Sequence, residues 1–348
     1  MELLKKLYET YSPSEGEKKM VKFIKSWITE NVPDAICYKE SKNLYVVKGE
    51  SVTYPCMVAH MDQVQHIHSK DFRAHMIGDT ILGFSEKNKR QEGLGADDKN
   101  GIWVALKCLQ KYDVFKCAFF MGEEIGCVGS SKADMTFFTD CRFVLECDRR
   151  GNSDFITHIS STELCSKEFL NDAEISTFGY KENRGMMTDV LELKENGLDV
   201  SCVNISCGYY NPHTDHETTS WSDLNNCLAL CEHIIENCVE VYPHKHKNSY
   251  GFNSFNEPYI GQKGSYGDYG AFYDYDDLYD YDELYDLMFT YIYDEYTNHG
   301  YYPSSDDVMY EFKGFAERES IKQIYEYALY DVKYHCTVSE CEEDIKKS

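Results

Sequence analysis

The sequence predicts an α/β protein, with a mostly parallel central sheet sandwiched by helices and a small acidic helical C-terminal extension. Three observations predict it. Four short apolar runs, "YPCMVA", "KCAFFM", "CRFVLEC" and "VSCVNIS", each lead into acidic or histidine residues. Helix-like stretches lie between them, at 101–112, 129–138 and 189–197. Continuous apolar strands alternating with helices are the pattern of a sheet covered on both faces. Beyond residue 245 the composition turns to tyrosine and aspartate with little positive charge.

From the N-terminus, residues 1–31 read as helical, with Ser14 as a cap and Glu17 three residues on as in a capping box. Met20, Val21, Phe23, Ile24, Trp27 and Ile28 follow at helical spacing. "AICYKESKNLYVVKG" reads as a β-hairpin. The apolar runs and their intervening helices then form the body of a domain over 1–245. Residues 246–275 read as an acidic Tyr/Gly-rich linker. Residues 276–348 read as the helical extension, because apolar residues return at three- and four-residue spacing.

The formal charge is −25 over 348 residues. Residues 251–348 hold 22 Asp+Glu against 7 Lys+Arg, a net of −15. Nucleic acid and anionic membranes are poor partners for such a surface. A protein partner for the acidic extension is one reading of it; a solvated packing extension is the other. There is no run of 18 apolar residues and no apolar leader, so the expectation is a cytoplasmic protein. The 15 cysteines are odd in number, irregularly spaced and without a CxxC pair. Many sit inside apolar runs, as Cys56, Cys117 and Cys202 do, and read as small hydrophobes in a reducing compartment.

Functional residues of such sheets gather beyond the carboxyl ends of the strands. Five motifs occupy those positions in order: "AHMD" (His60, Asp62), "GADDKNG" (Asp97, Asp98), "MGEEIG" (Glu123, Glu124), "ECDRRG" (Asp148) and "NPHTDHE" (His213). Taken singly, each reads as readily as a solvated loop or a hydrogen-bonded histidine. Together, two histidines and three carboxylates suit two divalent cations sharing a site, most simply zinc, with cobalt and manganese meeting the same donor set. Asp97 beside Asp98 becomes tolerable if Asp97 lies between the ions while Asp98 or Lys99 supports the turn. Asp62 would orient His60. One glutamate of the Glu123-Glu124 pair can ligate while its neighbour takes a proton from water and passes it to a leaving amine.

This ordered set resembles the co-catalytic zinc exopeptidases: peptidase T, the carboxypeptidase G-like enzymes and the zinc aminopeptidases with the same catalytic core. The resemblance covers about residues 1–240. It implies that His60 and Asp148 bind one metal, Glu124 and His213 the other, and that Asp97 bridges both. It also implies Glu123 as general base and acid, and a water between the two ions as the nucleophile. In one respect the sequence departs from the dimerising peptidase T-like members, which insert a lid domain between the last acidic ligand and the final histidine. Here Asp148 and His213 are close in sequence, and the stretch between them reads as ordinary core. The groups a lid would supply to bind substrate must then come from elsewhere, with Tyr180, Arg184, Tyr209 and Tyr210 as weak candidates. The expected substrate is a short peptide, cut by an aminopeptidase or di/tripeptidase. Hydrolysis of an N-acyl amino acid on the same core, and a non-catalytic metal-binding protein with a partner-binding tail, are the alternatives.

Overall fold

The computed structural model describes residues 1–159 and 162–245, and beyond them 301–312 with individual helical positions between 284 and 332. The chain divides into two compact units, Met1–Ser254 and Phe255–Ser348.

The first unit is built on a mixed nine-stranded sheet. Its centre is four parallel strands in the order β7 (Phe115–Phe120), β3 (Tyr54–His60), β8 (Cys141–Arg149) and β12 (Cys202–Ser206). These are the four apolar runs of the sequence. Every residue of β3 and β7 is buried, as expected of strands covered on both faces. The edges are antiparallel. On one side the hairpin β1 (Ile36–Glu40) and β2 (Asn43–Lys48) pairs with β7. On the other, β9 (Asp154–Ile159) pairs antiparallel with β12 and with β10 (Thr162–Glu163), while β11 (Lys181–Gly185) pairs with β9 in parallel.

Alternation along the strands divides the core into two layers. Phe143, Leu145 and Cys147 of β8 pack with the helices α1 (Glu2–Tyr8), α2 (Lys18–Asn31), α3 (Ala96–Lys111), α4 (Lys167–Ala173) and α6 (Trp221–Asn237). Val144, from the same strand, faces the other way, with Cys56, Val58 and Phe120, towards α5 (Asp189–Glu195). The stretch from Asp148 to His213 supplies β9–β12, α4 and α5, all of them elements of this body.

Three details differ from the sequence reading. Residues 129–138 form two 3₁₀ turns, Ser130–Lys132 and Met135–Phe138, instead of a helix. α2 begins at Lys18 with Glu17 as its cap residue, and the Ser14 hydroxyl donates to Asp62 Oδ2 at 2.7 Å. A second sheet, absent from the expectation, is formed by β4 (Phe72–Ile77), β5 (Thr80–Ser85) and β6 (Arg90–Glu92), joined by β13 (Tyr209–Tyr210) and β14 (Thr218–Ser220). β4 and β5 meet through the two-residue loop Gly78-Asp79, where Gly78 takes φ +63° as a tight hairpin requires. This sheet brings the segment around His213 back beside the segment that follows β3.

In the second unit, Leu284, Met288 and Ile292, with Ile321, Ile324, Ala328 and Val332, recur at helical spacing and bury together with Val308 and Phe312. Helix α7 (Ser305–Glu311) carries Val308. Most of the described residues there are helical, with 301–304 outside any helix; the expected linker at 246–275 lies outside the described residues. No helix of the described residues is long and apolar enough to cross a membrane.

His68 packs its ring on Phe72 at 4.3 Å and Tyr11 at 5.1 Å, and its Nε2 meets Tyr8 O at 3.3 Å. Burial, with Lys99 nearby, lowers its pKa to about 4. The unfolded chain, with an ordinary histidine near 6.5, takes up this proton first, so stability is lost as pH falls from about 6.5 towards 4. Denaturant unfolding of the wild type and His68→Gln at pH 7.5 and pH 5.5 tests this. The wild type should lose more stability between the two than the variant; equal losses would contradict the burial of a neutral ring.

Candidate metal centre

The site lies where the four parallel strands end. His60 is the last residue of β3, and Asp148 is near the end of β8. Glu123 and Glu124 follow β7 after a turn in which Gly122 takes φ +63°. Asp97 and Asp98 open α3 in non-helical conformations joined by a cis peptide, ahead of the regular helix. His213 sits on the loop between β13 and β14.

The side chains converge. His60 Nε2 is 2.9 Å from Asp97 Oδ1, 3.7 Å from Asp148 Oδ1 and 3.9 Å from Glu123 Oε2. His213 Nε2 is 3.3 Å from Asp97 Oδ2 and 3.2 Å from Glu124 Oε2. The two oxygens of Asp97 therefore face two different histidines. His60 is wholly buried, while the His213 side chain is 51% exposed and closes the site from the solvent side.

The neighbouring aspartate has a separate task. Asp98 Oδ1 accepts the Gly101 N–H at 2.9 Å, capping the regular part of α3, and Oδ2 accepts the His60 N–H at 3.1 Å. It locks the end of β3 to the start of α3. Asp148 is fixed by its backbone: Asn204 accepts from its N–H and donates to its carbonyl, both at 2.9 Å. Asp62 approaches His60 Nδ1 at 3.4 Å, accepts the Glu123 N–H at 3.0 Å and receives the Ser14 hydroxyl.

Glu217 is a site residue that sequence reading passed over. It is fully buried and accepts the N–H groups of Gly95 at 2.6 Å and Asp97 at 3.2 Å, and the Gln65 amide at 3.1 Å. It holds the turn that presents Asp97. The only cue was its place in "PHTDHE". Lys99, the other expected support of the same turn, is buried and donates across it to Leu94 O, and also to Gln63 and Tyr8 O.

Of the weak substrate-binding candidates, only Tyr209 reaches the centre, its hydroxyl 3.4 Å from Asp148 Oδ1. Tyr180 is buried and donates to Ser206 O; Tyr210 donates to Asp223. Arg184 is on the exposed strand β11, where its N–H is held by Asn183.

Burial pushes the pKa of Glu123 well up, and the charges of Asp148 and Glu124 add to it. Burial likewise raises Asp148, with Asp97 adding. Burial also opposes ionisation of Asp97, yet hydrogen bonds to His213 and His60 hold its pKa below the usual carboxylate range. Among the described residues no Lys or Arg pairs with Asp97, Glu123, Glu124 or Asp148. Glu124 Oε1 is buried without a hydrogen-bond partner among them. The donor set, histidine nitrogen with carboxylate oxygen, fits divalent cations of the zinc type. Ligand atoms of His60, Asp97 and Glu124, and of His60, Asp98 and Asp148, lie within 4.8 Å of one another. In the second group Asp98 already gives both oxygens to backbone N–H groups, so Asp97 is the freer donor.

No protein-family model and no curated protein sequence matches the chain. Solved structures do. An aminopeptidase PepT from Bacillus cereus aligns at TM-score 0.55 and 12% identity, over 68% of this chain and 97% of that one. A tripeptidase from Staphylococcus aureus gives 0.53 and 12%, over 68% and 97%. A TET aminopeptidase from a marine sediment thaumarchaeote gives 0.52 and 14%, over 69% and 96%. This chain has the fold of those peptidases. Within that peptidase fold, the carboxylate and histidine cluster stands at the carboxyl ends of the central strands.

Gly101 tests the local geometry. A Cβ there would collide with the Asp98 carboxylate. Helix propensity alone makes Gly→Ala a gain of about 0.5–1 kcal/mol. The contact predicts the reverse: thermal unfolding of Gly101→Ala should give a lower Tm than the wild type, and a raised Tm would contradict the role assigned to Asp98.

Proposed function

We propose that the protein is a metal-dependent exopeptidase acting on short peptides, of the aminopeptidase or di/tripeptidase type. The observation that carries the reading is Asp97, whose two oxygens face His60 on one side and His213 on the other. That arrangement suits one carboxylate shared between two cations, with Asp148 completing the His60 side and Glu124 the His213 side. Bound there, zinc-type ions would acidify a water, polarise a carbonyl and offset the charge of the carboxylates.

The protein's own groups divide the remaining work. Asp62 Oδ1, 3.4 Å from His60 Nδ1, is placed to orient the ring and leave Nε2 for the site. Glu123 is anchored by its backbone to Asp62 and lies 3.9 Å from His60 Nε2, at the margin of the cluster. Its burial among like charges favours proton uptake, the property needed in a group that accepts a proton from water and delivers it to a leaving amine. The Cys127 thiol, 3.6 Å from Glu123 Oε1, limits where that carboxyl can point. The three named peptidases that share the fold are two aminopeptidases and a tripeptidase, which supports a substrate with a free terminus.

Glu123→Gln should retain the metal content of the wild type and lose turnover by about 10²–10⁴-fold, the usual contribution of a general acid–base group. A panel of aminoacyl, dipeptide, tripeptide and N-acyl amino acid substrates, with zinc, cobalt or manganese added, reads both the activity and its class. Full activity in Glu123→Gln would remove Glu123 from its role. Turnover of N-acyl amino acids alone would replace the peptidase by a deacylase.

A further inference from the structure

The helix α6 carries Cys227 and Cys231 one turn apart, on the side packed against β8. Cys147 of β8 points to the same place. All three side chains are fully buried. Cys147 Sγ lies 3.4 Å from Cys231 Sγ and 3.6 Å from Cys227 Sγ, and the three sulfurs all lie within 4.8 Å of one another. Other buried cysteines behave as small hydrophobes with a weak donor: Cys117 turns its thiol to Ala105 O, and Cys202 to Leu164 O and Val190 O. These three turn theirs to each other.

We propose that Cys147, Cys227 and Cys231 form a thiolate site for one soft metal ion, separate from the carboxylate centre. Thiolate sulfur selects ions such as Cu(I) and Zn(II) over the harder cations suited to carboxylates. Sulfurs bound to one ion at about 2.3 Å stand roughly 3.8–4.0 Å apart. The two separations from Cys147 need only a few tenths of an ångström of expansion. Loading forms three sulfur–metal bonds, releases the thiol protons to solvent and changes no oxidation state. The Tyr180 hydroxyl adjoins Cys227 but donates to Ser206 O, so the site offers three sulfurs first and an oxygen only if that bond is given up. An ion there would tie α6 to β8 one residue from Asp148. The absence of a CxxC pair hides such a site in sequence: two sulfurs are one helical turn apart and the third is 80 residues away.

The test uses the full chain, produced with added Zn(II) or with Cu(I), and metal-depleted protein beside it. Thiols are alkylated during gradual denaturation, and the modified cysteines are identified by peptide mass spectrometry. In loaded protein, Cys147, Cys227 and Cys231 should be protected together by about tenfold more than Cys108 and Cys117, which share only the general stabilisation of the fold. Sulfur-to-metal charge-transfer absorption should accompany the protection. Cys231→Ser should abolish both signals and leave metal at the carboxylate centre. Protection by Cu(I) alone points to the three-sulfur form, and protection by Zn(II) to one that recruits an oxygen. Equal alkylation with and without either ion in the wild-type chain would overturn the proposal, whatever the variant does, as would signals that persist in Cys231→Ser.

Discussion

Four carboxylates, from Asp97, Glu123, Glu124 and Asp148, are held around two histidines at the end of a sheet with no Lys or Arg paired to them among the described residues. Two unit charges about 4 Å apart repel by about 4 kcal/mol at an effective dielectric of about 20. A chain that only needed to fold would not assemble such a group. The rest of the site follows from this constraint. Cations between the carboxylates would turn the repulsion into attraction, and the same cations would activate a water.

The supporting residues keep the crowded groups in place. Asp98 joins β3 to α3 through two backbone N–H groups. Glu217 joins the Asp97 turn to the segment after His213. Asn204 joins β12 to β8 beside Asp148. Each link ties together segments far apart in sequence, and each ends on backbone, so the side chains of the cluster remain free to face one another. The small second sheet serves the same end, since β14 pairs with β5 and so fixes the loop that carries His213.

Much of this was legible in the sequence, for physical reasons. The four central strands are continuous apolar runs because they are buried on both faces, and their ends mark the site. The order of His60, Asp97, Glu123-Glu124, Asp148 and His213 at those ends pointed to one cluster. The rest was hidden by tertiary choices. Ser14 gave up a helix cap for Asp62. The 129–138 stretch has the apolar content of a helix, but its backbone closes as two short turns. Glu217 looked like one more acid in a polar loop, because nothing local distinguishes a buried acceptor of N–H groups. Tyr180 and Tyr210 read as polar groups free to meet a substrate, and their hydroxyls are spent on Ser206 and Asp223.

The most direct measurement compares Asp97→Asn with the wild type, recording metal content and unfolding stability before and after metal depletion. If Asp97 is shared between two cations, the protein, compared in a Cys231→Ser background that removes the sulfur site, binds close to two zinc-type ions per chain and is stabilised by them. The variant loses that affinity, so metal depletion lowers the stability of the wild type and leaves that of the variant nearly unchanged. A wild type that binds no metal, or a variant that keeps the full complement with unchanged affinity, would contradict it.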